Sequence, residues 1–160
     1  MSRKEGIEID RSKVHLLRMA EGGTDDLASS LDTLLERSGL SGVFSPGDLV
    51  AVKMHFGESQ HTGHVRPRFM KRIVGWLLRQ ETSPFLTDTN TLYRGTRADT
   101  VAHLRTAAEH GFTFSAVGAP VVIADGLRGT NETRVRVEGR FVKEAPLGAE
   151  LVKADALLSV

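Results

Sequence analysis

Residues 50–66 read VAVKMHFGESQHTGHVR, an apolar run that opens into a loop carrying His55, Glu58, His61, His64 and Arg66. Imidazole and carboxylate are ligand types for zinc, manganese or iron. His55, His61 and His64, with Asp88 from further along the chain, therefore form a candidate divalent-metal set. The HxxxxxHxxH spacing is not an established metal signature, and the same imidazoles can instead bond a substrate directly or stand solvated in the loop. Arg66, Arg94, Arg97 and Arg128 offer planar forks that match carboxylate or phosphate oxygens. His55, His64 and Asp88 are the candidates for proton transfer. Glu58, Arg66, Asn90, Arg94, Asp125 and Arg128 are the candidates for holding a ligand. Lys53, one residue before the end of the apolar run, can reach the same edge as a cation. No serine sits in a nucleophile elbow, and no GxGxxG or Walker loop is present, so neither a serine hydrolase nor a nucleotide site is implied.

These residues are far apart in sequence, so the elements between them must bring them together. Residues 49–54, 84–87 and 120–124 are short, nearly continuous apolar runs of the kind found in strands covered on both faces. Each ends in a loop rich in polar residues, glycine and arginine. Between them lie helical patterns. Leu27, Leu31, Leu34 and Leu35 form one stripe ahead of Gly39, with Thr24 as the expected cap and residues 13–19 as a first strand before the Gly22-Gly23 break. Pro67 suits a helix start, and Phe69, Met70, Ile73, Val74, Leu77 and Leu78 repeat as doublets behind it, with Trp76 off the stripe as a packing residue. A third helix is expected with Thr96 and Asp99 at capping-box spacing and Val101, Leu104 and Ala108 as its inner face. Alternation of strand and helix predicts an α/β fold: a three-layer, mostly parallel Rossmann-like sheet with helices on both faces. Residues 134–142 alternate around Glu138-Gly139-Arg140 and predict a small antiparallel hairpin. In a parallel sheet the three polar loops emerge at the carboxyl edge, where open α/β folds bind ligands.

Composition narrows the function classes. The chain has 160 residues, 21 basic and 20 acidic side chains and a net charge of +1, so no global field favours nucleic acid or an anionic membrane. It has no cysteine, which removes disulfides, thiolate nucleophiles and thiolate-bound iron–sulfur or zinc sites from this chain alone. No apolar run approaches the ~18 residues of a membrane span, and the start is charged; a cytoplasmic protein is the expectation. Residues 1–12 read as a flexible terminus and 13–160 as a single α/β domain. The final run ALLSV resembles a central strand without its following loop, which suggests a domain cut short at its C-terminus, a missing partner segment or a homodimer through strand-edge pairing.

The runs VAVKMHFGE, TGHVRP, PFLTDTNTLYRGTR, HLRTAAEHGF and VGAPVVIADGLRG closely resemble the family called domain of unknown function 362, over roughly residues 49–129. That resemblance implies an α/β domain often accompanied by a ferredoxin-like module that binds 4Fe–4S clusters, and it marks residues 55–58, 66–67, 88–94 and 125–129 as motif segments. Three functions follow. The first is a binding or catalytic domain for a small anionic metabolite, with or without a metal. The second is part of an iron–sulfur redox protein whose cluster segment lies outside this chain. The third is a non-catalytic structural domain.

Overall fold

Residues 13–16 and 24–160 are described by the structure, a computed structural model of the chain. The run LVAVK forms β1 (Leu49–Lys53). Its Val50, Ala51 and Val52 are all fully buried, which is why the strand is apolar without alternation. β1 lies between β2 (Ser83–Asp88) and the last strand, β6 (Ala156–Ser159), and β3 (Val121–Ile123) extends the sheet beyond β2. The order is β3-β2-β1-β6 and every pair is parallel. The expected parallel α/β sheet is therefore formed, with ALLS at one edge rather than at the centre. Connection direction reverses between β1 and β6, which makes their carboxyl ends the topological switch point of the sheet.

Helix α1 (Thr24–Arg37) packs on α2 (Pro67–Arg79), and an Asp32–Arg72 ion pair of 2.9 Å joins them. α2 begins with Pro67 as foreseen, and the preceding Arg66 holds the extended N-cap conformation. Met70, Ile73, Val74 and Leu77 meet Val50, Val52 and Leu86 in the core. Leu78 is half-exposed, whereas Trp76 is fully buried with its ring edge-on to Phe44 at 6.0 Å. The apolar stripe of α2 is thus rotated toward Trp76, and truncating that indole is expected to cost about 3–5 kcal/mol.

Helix α3 (Thr100–Glu109) and the short α4 (Phe114–Val117) return the chain from β2 to β3. The inner face of α3 differs from expectation: His103, Thr106 and Ala107 are buried, while Val101 and Leu104 face solvent. The local reason lies in its start. Asp99 alone caps the helix, accepting from the Ala102 N–H at 3.0 Å, and the Thr106 hydroxyl donates to the Thr96 carbonyl at 3.1 Å. The incoming loop therefore lies across the polar side of α3 and turns that side inward.

The hairpin is longer than predicted. β4 (Glu132–Arg136) pairs antiparallel with β5 (Glu144–Gly148), and Phe141 and Val142 fall in the connection instead of a strand. Pro146 is tolerated in β5 because a two-stranded sheet has only edge strands. The hairpin base is tied to the end of β3: Ala149 N–H donates to Asn131 and Glu150 N–H to Ala124, at 3.0 and 3.1 Å. A Cβ at Gly148 would stand 3.0 Å from the Ala124 backbone, so glycine is required for this approach. Helix α5 (Ala149–Val152) then leads into β6.

Lys13–Leu16 is irregular, so the expected first strand is not formed there; its continuation through Met19, the Gly22-Gly23 break and residues 1–12 lie outside the described residues, as does the side chain of Thr24. Among the described residues no helix is long and apolar enough to cross a membrane.

Candidate functional site

The register that places Lys53 beside Thr87 brings the ends of β1 and β2 together. Asp88, buried at the end of β2, accepts from Lys53 Nζ at 2.9 Å on one oxygen and from Arg97 Nη1 at 3.0 Å on the other. Arg97 is itself buried. Its far side meets Glu58 from the β1 loop, through Nε at 2.9 Å and through Nη2, and Nη2 also donates to the Tyr93 hydroxyl at 2.8 Å. Tyr93 in turn donates to Glu58. One guanidinium thus bridges the carboxylates of two loops. The Tyr93 hydroxyl and then the Arg97 guanidinium hold the Glu58 carboxyl below its ordinary range.

His103 lies beneath this network, fully buried, with Nε2 3.7 Å from Asp88 and its ring edge-on to Phe56 at 5.7 Å. Neither ring nitrogen has a hydrogen-bond partner among the described residues. Burial pushes its pKa down against the pull of Asp88, so the imidazole is neutral at neutral pH. The loop after β3 joins the same assembly. Asp125 accepts from the Asn90 N–H and side-chain amide, each at 2.9 Å, and that amide also donates to the Gly126 carbonyl at 2.8 Å. Glu58 to Arg97 and Asn90 to Asp125 are the links that lock the three strand-end loops together.

A second cluster occupies the β1 loop. His64 and His110 stack face to face, with centroids 4.5 Å apart and planes 7° from parallel. His110 Nδ1 is 2.7 Å from the Phe56 carbonyl. Because a carbonyl only accepts, His110 carries a proton on Nδ1. Gly57 has φ of +92°, and a Cβ there would lie 2.7 Å from His64 Nδ1 and 2.8 Å from His110 Nδ1, so this turn needs glycine twice over. Its N–H donates to His55 Nδ1 at 2.9 Å. His64 Nδ1 is buried without a hydrogen-bond partner among the described residues. Burial first, then the charges of His110, Arg66 and His55, lower the His64 pKa.

The sequence-selected residues therefore divide. Asp88, Glu58, Asn90 and Asp125 enter the interlocked network, and His55, His64 and Arg66 gather at the β1 loop. His61, Arg94 and Arg128 are exposed, and Arg128 lines a small groove with Asp99, Val101 and Leu127 beside the start of α3. The histidines and Asp88 of the expected metal set do not share a site: Asp88 is enclosed by Lys53 and Arg97, and among the described residues no group of three or more His, Asp or Glu is disposed to hold a metal ion. His103 and the stacking role of His110 were not foreseen. Their seven-residue spacing, which puts them on one side of a helix, is the signal that points to them. Arg97 was visible as an anion fork but serves inside the network.

A four-stranded parallel sheet with a switch point and interlocked polar loops at its carboxyl edge defines an open, Rossmann-like α/β domain. The model of the family described as Domain of unknown function (DUF362) matches residues 50–160, and the chain belongs to that family. No curated protein and no solved structure matches the chain. The iron–sulfur clusters that the family resemblance implies do not fit the residues present, since the chain has no cysteine to supply a thiolate.

Proposed function

We propose that this DUF362 domain binds a small oxyanion, a carboxylate- or phosphate-bearing metabolite, at the carboxyl edge of its sheet. One observation carries the reading. The carboxylates at this edge are satisfied internally, whereas Arg66, Arg94 and Arg128 make no ion pair among the described residues. Buried acids hold their own cations, and the arginines left over face water, where a ligand can reach them. Arg66 is the principal contact, because it adjoins the imidazole cluster and acts on His64. His64, held neutral by burial, and the exposed His55 stand in the same loop as the groups assigned to proton transfer. Asp88 acts by holding Lys53 and Arg97.

Titration calorimetry with inorganic phosphate and acetate tests this. A hydrogen bond to a charged group contributes about 1.5–3 kcal/mol, so Arg66→Ala weakens binding by roughly tenfold or more, and Arg94→Ala and Arg128→Ala weaken it less. Negligible heats in the wild type, equal to those of Arg66→Ala, overturn the proposal.

A further inference from the structure

A cavity of about 360 Å³ lies between α1 and α2, with Val65 and Val160 at the end nearest the carboxyl ends of β1 and β6. Leu27, Leu31 and Leu34 of α1 line it together with Phe69 and Ile73 of α2. Val65, from the β1 loop, and Val160, directly after β6, complete it at the sheet end. Its lining is almost wholly apolar, with His15 and Ser30 as the polar exceptions. Leu16 at its mouth is 88 % exposed and Val160 is 42 % exposed, so apolar surface stands in water around the opening.

Three features say what fits. The volume lies within the roughly 300–1,000 Å³ of small-molecule pockets. It is too small for a protein helix, which is about 10 Å across with its side chains. The location is the switch point, where ligands of open α/β sheets bind. The neighbouring charge chooses the head group: Arg66 follows the lining Val65 directly in sequence, is exposed and makes no ion pair among the described residues.

We propose that the cavity takes the hydrocarbon body of an amphipathic small-molecule oxyanion, a medium-chain or branched monocarboxylate being the simplest, with Arg66 holding its charged head. For the head group alone this rests on the oxyanion reading above. The ligand class is thereby narrowed from polar metabolites to acids with an apolar tail.

The test is calorimetric titration of the 160-residue chain with acetate, hexanoate, octanoate and octan-1-ol, beside inorganic phosphate. Affinity is expected to rise about fourfold per methylene from acetate to hexanoate. Leu34→Trp, which fills the cavity, removes the chain-length gain, with Leu27→Phe as the milder second variant. Arg66→Ala weakens every acid by the same factor. A flat chain-length series overturns the cavity assignment, and Arg66-dependent binding of acetate or phosphate would then leave the oxyanion reading standing. Octan-1-ol and octanoate binding equally tightly, both unaffected by Arg66→Ala, overturns the head-group assignment and with it the proposal. Sedimentation of the ligand-free protein adds one more outcome: a dimer that Leu34→Trp dissociates gives the cavity to a second copy and overturns the proposal.

Discussion

The two polar clusters at the carboxyl edge are built from similar residues and arranged on opposite principles. Around Asp88 every charge is answered: Lys53, Arg97, Glu58 and Tyr93 form a closed set that fastens the loops after β1 and β2, and Asn90 ties the loop after β3 to them through Asp125. Around Gly57 the pairing is incomplete: His110 and His55 are bonded to backbone, but His64 stacks on His110 with no partner for its Nδ1, and Arg66 has no counter-ion, among the described residues. A buried network of the first kind holds geometry, because removing one charge strands its partner in low dielectric. An assembly of the second kind keeps capacity for something that is not part of the chain. The difference teaches that the most conspicuous acids of this sequence fasten its loops, while the groups left unsatisfied lie in the β1 loop, which is where the proposed ligand is assigned.

The largest expected effect separates the clusters by stability. Asp88→Ala leaves Lys53 and Arg97 without their carboxylate and should cost about 3 kcal/mol or more in urea unfolding, whereas Arg94→Ala should fall within about 0.5 kcal/mol. Equal costs would erase the distinction. Next, Gly57→Ala forces a side chain into a left-handed turn against two imidazoles. A loss of roughly 2 kcal/mol, with altered histidine ring resonances in NMR spectra, is expected. An unchanged His64–His110 pair would show that the stack does not depend on the turn. A smaller effect, about 1 kcal/mol, is expected for Tyr93→Phe, since Glu58 and Arg97 keep each other when the hydroxyl goes.

The finest test is pH. His64 and His103 both have folded-state values lowered from 6.5. The unfolded chain therefore takes up protons first as pH falls below about 6.5, so the stabilising contribution is present above that value and lost on acidification. His103→Leu should flatten this decline measured by thermal unfolding between pH 7 and 5; an unchanged slope would mean that His103 does not titrate with unfolding.

Much of the architecture was legible. The continuous apolar runs announced buried parallel strands, Pro67 announced its helix, and the absence of cysteine removed thiolate chemistry. What misled was the inner face of α3. Val101, Leu104 and Ala108 make an ordinary apolar stripe, but the Asp99 cap and the Thr106–Thr96 bond rotate the helix and bury His103 instead. Periodicity weighs hydrophobicity and cannot see that a neighbouring strand ends in an aspartate that a polar helix face can approach. The same limit applied to the metal set. His55, His61 and His64 share a loop, yet Asp88 is separated from them by the cations it binds, a fact that lies in strand register and not in spacing.

The position of β6 has a consequence for the order in which the molecule is made. Among the described residues β6 pairs with β1 alone, and its approach is secured by Asp155, whose carboxylate accepts from the Leu49 N–H across 106 residues of sequence at 2.9 Å. β1, β2 and β3 are joined by short crossovers and can assemble early, whereas so distant a pairing is slow to form. The lining of the cavity between α1 and α2 is complete, with Val160 in place, only after that strand has docked. Any molecule that fills it therefore selects the finished fold over the three-stranded one, and its binding would register as slower opening of β6 in hydrogen exchange.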